Sequence, residues 1–565
     1  MQQFETLLLV GTLVGGLAAW KAPANELKRL GWRVGGACFV LLVLTLLVSS
    51  LLGAAGRLAA AINWVAVGLL LVAAGGGVAF LRRRGVSLPG PTLTDAGRAA
   101  GGSRLEPDLR PFVGKTRGGR LRQVSAEDTI GVIGPPRSGK TAGILIPQAM
   151  QWAGPMISVS VREDILTAVG DQRLRIARPG GGGIHVFDPA EGSRAGLARL
   201  AGGRTDALPF VRWSPLHGCQ DAATAKLRAE AMVWASIPPG SGAVRHVHFE
   251  RLASMILRNL FHAAALSGRS LEDVLVWIDS KDCTEPAALL DLSDSPERRV
   301  WGNELLGLRE LAPEERGSAF STAANALDAF KLSAVQRNCS RTDLDLGSFL
   351  RSRSSLFVIA GVAMQNALAP LFSAMLESIA FAIIDELSRE QGGRLDPPLL
   401  LQLDEIANIA PLPNLEKLMT LSGGSGICIS YASQNWQQLG ARYGQDQMRS
   451  IWQSTKAQVV FGGVGDAEML RSMSEMMGRK KVMKKTRNRG ALSFLPFQGT
   501  VSVGEEEDSR LHLDEIFQAR DSAFLFYQGD FERVSPASYF DPAAGRPFHE
   551  AAGWAPAATA AGPAL

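Results

Sequence analysis

Residues 129–141 read TIGVIGPPRSGKT, and Gly134 to Thr141 satisfies the pattern G-x-x-x-x-G-K-[ST] in full. The setting gives the match its weight: the apolar run Thr129–Ile133 precedes it as a strand would, and AGILIPQAM after it can begin a helix. Gly134, Pro135, Pro136, Arg137, Ser138, Gly139, Lys140 and Thr141 are therefore the expected phosphate-binding stretch. Backbone N–H groups of such a loop and of the helix start surround phosphates, Lys140 reaches the β- and γ-phosphates, and the Thr141 hydroxyl ligates a metal. ATP and Mg2+ are the expected ligands. A glycine turn that matches by chance is the bland reading, and the strand and helix on either side argue against it.

A site that hydrolyses a nucleotide also needs a carboxylate for the metal and a base for water. Residues 398–405 read PLLLQLDE, an apolar strand ending in two acids, with Asp404 directed to Mg2+ and Glu405 able to polarise the attacking water. Alone, the pair is an ordinary exposed strand end. About 260 residues separate Lys140 from Asp404, which leaves room for an inserted domain and exceeds what a small-molecule kinase needs. The strand GICISYAS, residues 426–433, then ends in Gln434, an amide placed to sense a γ-phosphate or orient water.

Other apolar runs fit the same pattern: Met156–Val161, Ile184–Asp188, Ser355–Ala360, Ala457–Phe461 and Phe524–Tyr527. Fully apolar runs of this length suit parallel strands covered on both faces, and helical patterns between several of them argue for an open α/β sheet. Residues 220–338 break the pattern, with helical stretches such as AATAKLRAEAMVWA and STAANALDAFKLSAV and only VLVWI as a strand candidate. In HFERLASMILRNLFHAAAL, the stripe Phe249, Leu252, Met255, Ile256, Leu260 and Phe261 reads as bundle core.

The chain begins differently. Three apolar stretches, at 4–20, 34–54 and 59–81, have the length of membrane spans, the first at the lower limit. No basic residue precedes the first, which disfavours a signal peptide. Four basic residues in 21–33 and Arg82–Arg84 after the third span place those loops in the cytoplasm, with the N-terminus outside or, with two spans, the first stretch lying on the membrane. A Gly/Pro-rich linker is expected over 85–120 and a disordered Ala/Gly/Pro-rich tail over 541–565.

The net charge of +5 over 565 residues divides accordingly: residues 1–81 carry five bases against two acids, a net +3, so the rest carries +2. The densest run, RKKVMKKTRNR at 479–489, holds seven bases and no acid. It reads either as a phosphate-backbone contact or as an edge hairpin balanced by Glu505–Asp508. Five cysteines without a C-x-x-C pair exclude a disulfide framework and a structural zinc site. His246-x-His248-x-Glu250 reads as a helix start rather than a metal site.

Taken together, these residues resemble the VirD4/TraG-type coupling proteins of type IV secretion and conjugation systems. The resemblance rests on GPPRSGKT, on LLLQLDEIANIAPLPNLEKLMTLSGGSGICISYASQNWQQL, on the N-terminal apolar region, and on RLHLDEI and FYQG near the end. It implies a RecA-like P-loop ATPase domain (121–218 and 339–540) with an inserted all-α domain (219–338), behind a multi-pass anchor (1–84) in the bacterial inner membrane. The ATPase body would be cytoplasmic and assemble as a homohexamer. The implied role is to recruit relaxase-bound single-stranded DNA, or effector proteins, to secretion-channel components and their ATPases. An FtsK/HerA-like DNA translocase and a recruitment platform with little turnover are the competing readings. Two departures stand out. Leu421–Ile429 lacks the arginine that some relatives place between the acidic strand and the glutamine, with Arg442 and Arg449 the nearby bases, each read first as structural. Val161-Arg162-Glu163-Asp164 replaces the Asp-Pro-Lys of many relatives.

Overall fold

In the computed structural model of this chain, the described residues are 107–541 apart from 201–209, 241–246, 388–391, 477–478, 490–498, 510–512 and 520. The expected membrane spans, most of the linker, and the tail after 541 lie outside the described residues.

The strands are β1 (Phe112–Lys115), β2 (Leu121–Gln123), β3 (Ile130–Ile133), β4 (Met156–Ser160), β5 (Ile184–Phe187), β6 (Ser355–Ile359) and β7 (Leu399–Leu403). They continue with β8 (Ile427–Ser433), β9 (Ala457–Phe461), β10 (Arg479–Arg489), β11 (Gly499–Ser509), β12 (Ala523–Tyr527) and β13 (Asp530–Val534). Nine of them form one sheet in the order β13-β12-β9-β3-β8-β7-β4-β6-β5. From β9 to β5 every pairing is parallel, while β12 and β13 close the other end antiparallel.

The apolar runs form this sheet because it is covered on both faces. β3, β4, β6, β7, β8 and β9 are buried along their whole length. Alternation then sorts their side chains: Leu356 and Val358 of β6 join one core, and Phe357 and Ile359 join the other. The eight strands expected from sequence are present within a residue or two. β1, β2 and β13 were not expected, and β12 runs antiparallel to β9 where a parallel strand was expected.

Between β5 and β6 the described residues form helices and no strand. VLVWI is not a strand. It lies in the helix Leu271–Ser280, opened by a capping box in which Ser270 accepts from the Asp273 amide and Asp273 accepts from the Ser270 amide. Ile256, Leu260 and Phe261 of the stripe are fully buried, with Leu252 and Met255 packed against the same core. That core continues into one face of the sheet.

The linker expectation over 85–120 extends too far, because Phe112 and Val113 of β1 are fully buried and β1 pairs with β2. One helix among the described residues, Gln365–Asp385, is long and apolar enough to cross a membrane, and it is mostly buried inside the protein. The basic run is a strand: β10 pairs antiparallel with β11, with Lys480 opposite Asp508 and Lys481 opposite Glu507.

Candidate nucleotide site

The carboxyl ends of β3, β7 and β8, three neighbours in the sheet, carry the candidate residues. Such strand ends are where open α/β sheets bind ligands. After β3 the chain turns at Gly134, where a Cβ would lie 2.8 Å from Phe461 Cβ and 2.6 Å from Ser138 Oγ, so only glycine fits. Arg137 and Gly139 take positive φ values of 62° and 92°, which turn the loop into the following helix. That helix opens as a wide π turn, Thr141–Leu145, and continues as an α-helix, Ile146–Gln151.

Lys140 is buried, and its ammonium donates to the Gly134 carbonyl at 2.6 Å and the Pro135 carbonyl at 3.2 Å. Burial pulls its pKa down, and the nearby Glu405 and Asp404 carboxylates push it back up. Ser138 Oγ is buried without a hydrogen-bond partner. A lysine satisfied only by loop carbonyls and an orphaned hydroxyl beside it are the donors a phosphate requires.

Thr141 Oγ1 donates to Asp404 Oδ2 at 3.1 Å, across 263 residues of sequence. This joins the end of β7 to the helix start and makes a hydroxyl–carboxylate pair suited to a hard divalent cation. Burial, then the neighbouring Glu405, raises the Asp404 pKa to about 6, and the Thr141 hydrogen bond and Lys140 partly counter this. Asp164 also pushes it upward. Asp164 begins the helix Asp164–Ala177 beside Arg162 and Glu163, in a cleft at the ends of β4, β5 and β6. Sequence reading gave Asp164 no part in the site, since nothing in its spacing from Asp404 signals that the two meet.

Glu405 has φ 58°, a left-handed conformation that costs a non-glycine residue about 1 kcal/mol or more. Its carbonyl accepts from the amides of Asn408 and Ile409 at 3.0 and 3.1 Å, which hold the turn. Its carboxylate Oε1 accepts from Gln434 Nε2 at 2.9 Å. Gln434 is itself held, because its amide donates to Gln438 Oε1 at 3.2 Å and Asn435 caps the helix Trp436–Tyr443 by accepting from the Gln438 amide.

Beneath the loop lies a buried polar network that sequence reading missed. Gln402 of β7 donates to the Leu145 carbonyl at 2.9 Å and to Gln148 Oε1 at 3.3 Å, and accepts from Ser158 Oγ at 3.0 Å. Ser430 Oγ of β8 donates to Gln148 Oε1 at 2.8 Å. A glutamine in an otherwise apolar strand, LLLQL, was the available signal, since such a group must find partners when buried.

Arg449 pairs with Glu468 at 2.8 Å, and Arg442 donates to the carbonyls of Ala407 and Ile237. His248 pairs with Glu315 at 2.7 Å at the start of the helix Val247–Ser267.

The profile of the family described as "Type IV secretory system Conjugative DNA transfer" matches residues 110–528. Two conjugal transfer proteins TraG from Escherichia coli are similar. One is 24% identical over 396 residues, covering 66% of this chain and 59% of that protein. The other is 21% identical over 333 residues, covering 55% and 49%. The chain thus spans about half the length of these curated relatives.

Among solved structures, the unbound bacterial conjugative coupling protein TrwBdeltaN70 superposes with a TM-score of 0.54 at 17% identity, covering 76% of this chain and 89% of that one. TrwB in complex with ADP and Mg2+ gives 0.53 at 18% identity, covering 76% and 91%. The fold is that of these α/β proteins.

Proposed function

The chain belongs to the type IV secretory system conjugative DNA transfer family, and from that premise we propose that it is a membrane-anchored ATPase coupling protein. In this reading it recruits relaxase-bound single-stranded DNA, or protein cargo, and drives it toward a type IV secretion channel. The similar protein TrwB has been solved with ADP and Mg2+ and with a non-hydrolysable ATP analogue. We assign the same ligands to Gly134–Thr141 and Asp404. The observation that carries the reading is the Thr141–Asp404 hydrogen bond with Lys140 buried beside it.

Each residue has a task in hydrolysis. The loop amides and Lys140 hold the phosphates, and Thr141 and Asp404 hold the metal. Mg2+, when bound, neutralises charge developing on the phosphate oxygens. Glu405 orients and deprotonates the attacking water, and Gln434 fixes the rotamer of that carboxylate while its amide stands ready to meet a γ-phosphate. The left-handed backbone at Glu405 turns the chain at the end of β7, and the Asn408 and Ile409 amides, bonded to its carbonyl, hold that turn.

The DNA contact is assigned to the outer half of the β10–β11 hairpin. Register divides the basic run: Lys480 and Lys481 stand opposite acids, while Lys484, Lys485, Arg487 and Arg489 stand opposite Gly504, Val503, Val501 and Gly499. Lys485, Arg487 and Arg489 occupy alternate positions and so share one face. Three cations with no acid directly opposite them in the register, at that spacing, suit a phosphate backbone read without sequence preference. The membrane anchor, the helical insertion at 219–338 and a homohexamer belong to the same proposal.

Plasmid transfer from a donor strain whose own copy of this gene is deleted and complemented with Glu405→Gln tests the reading. Transfer should fall to the level of the deletion. Transfer at the wild-type frequency would defeat it.

A further inference from the structure

The helix Trp436–Tyr443 begins one residue after Asn435, and its eight residues span about 12 Å. Gln434, at its start, is bonded to Glu405. Near its other end, Arg442 Nε donates to the Ala407 carbonyl at 3.1 Å, two residues beyond Glu405. The same guanidinium reaches out of the sheet domain: Nη1 donates to the Ile237 carbonyl at 2.6 Å and to the Ala235 carbonyl at 3.5 Å, with the Trp234 ring 5.7 Å away. Those groups end the helix Ala222–Ser236, the first helix in 219–338. A return bond runs the other way, from the Gly240 amide to the Ala441 carbonyl at 2.8 Å.

A cation at a helix C-terminus bonded to its last carbonyls is stabilising by itself. More is built here, because one rigid fork bridges the turn after the catalytic carboxylate and the end of an inserted helix. Past Gly240 the chain leads to Val247–Ser267, the longest helix between β5 and β6. Arg442 thus ties both the turn at Ala407 and the helix that begins beside Gln434 to the Ile237 carbonyl.

We infer that Arg442 is a positioning residue that couples the state of the Glu405–Gln434 pair to the helical region between β5 and β6. The inference rests on the nucleotide-site reading above. The coupling runs through geometry within one chain, so it needs no arginine from a neighbouring subunit.

Hydrogen–deuterium exchange on the full-length protein in detergent, with Mg2+ and either ADP or a non-hydrolysable ATP analogue, tests it. Exchange over 235–240, where the Gly240 amide crosses the joint, should differ at least threefold between the two nucleotides. In Arg442→Ala that difference should vanish while residues 134–141 stay protected by both nucleotides. A structural role alone would loosen 235–240 equally in both states. Arg442→Gln carries the same expectation should the alanine variant not fold. Equal exchange in the wild-type protein, or a difference that survives both variants, overturns the coupling. No protection of 134–141 by either nucleotide in the wild type overturns the nucleotide-site reading itself.

Discussion

Gln434 Nε2 donates to Glu405 Oε1 at 2.9 Å, joining the ends of β8 and the segment after β7. The bond restrains a carboxylate that a water-activating role requires to be aimed. Replacing the amide leaves the carboxylate in place, held by the longer Asn408 Nδ2 bond to Oε2 at 3.5 Å. Gln434→Ala should therefore lower kcat for ATP roughly 10- to 100-fold with KM within about threefold, as expected for a group that orients rather than binds. Steady-state ATPase assays over a range of ATP concentrations check this, and an unchanged kcat would remove Gln434 from the mechanism.

Asp404 must be ionised to hold Mg2+, yet burial and Glu405 raise its pKa to about 6. Apparent Mg2+ affinity should then fall about tenfold for each pH unit below 6. Stability runs oppositely. The folded pKa lies above the ordinary 3.8, so in the nucleotide-free protein this group stabilises the fold below pH 4 and loses that contribution as pH rises through about 6. Asp404→Asn should abolish Mg2+-dependent turnover and raise nucleotide-free stability at pH 7.5 by about 1–2 kcal/mol. Mg2+ titrations at three pH values and thermal melts measure both.

Gln402 bonds Leu145, Gln148 and Ser158 in the buried layer under the phosphate loop. Gln402→Ala takes the acceptor from buried Ser158 Oγ and one of the two donors from Gln148 Oε1, which keeps Ser430, so a loss of about 2–4 kcal/mol is expected. Denaturant unfolding of Gln402→Ala beside Gln402→Glu would show whether the cost follows the network or the lost volume alone.

The hairpin register predicts an unequal effect along one basic run. Replacing Lys485, Arg487 and Arg489 by serine should reduce the slope of log affinity against log salt for single-stranded DNA by about 2, at about 0.7 per contact. Replacing Lys480 and Lys481, which stand opposite Asp508 and Glu507 in the register, should change it little. Anisotropy titrations across salt concentrations distinguish the two, and equal slopes would contradict the assignment.

The parts legible in sequence share one physical cause. Runs such as LLLQL and ICISYAS announce strands because a parallel sheet covered on both faces admits few polar residues, and GPPRSGKT announces its loop because the turn needs glycine where Phe461 closes in. Pairing across long separations leaves no such trace. Thr141 and Asp404 were assigned to the same metal from their chemistry, but the influence of Asp164 on Asp404 and the reach of Arg442 to Ile237 depend on which strands and helices become neighbours. VLVWI misled because a short apolar run suits a helix as well as a strand, and Ser270 with Asp273 was the evidence that decides between them. Phe112 and Val113 were lost in a linker because β1 is only four residues long and its partner β2 three.

The proposed function requires that Lys140, Thr141, Asp404 and Glu405 form one MgATP-hydrolysing site. Mg2+-dependent ATP hydrolysis by the full-length protein tests it most directly, measured together with ATP binding in Lys140→Ala and Glu405→Gln. Lys140→Ala should lose both, while Glu405→Gln should bind ATP as the wild type does and hydrolyse it at least 100-fold more slowly. Wild-type turnover in Glu405→Gln, or equal ATP affinity in Lys140→Ala, would contradict it.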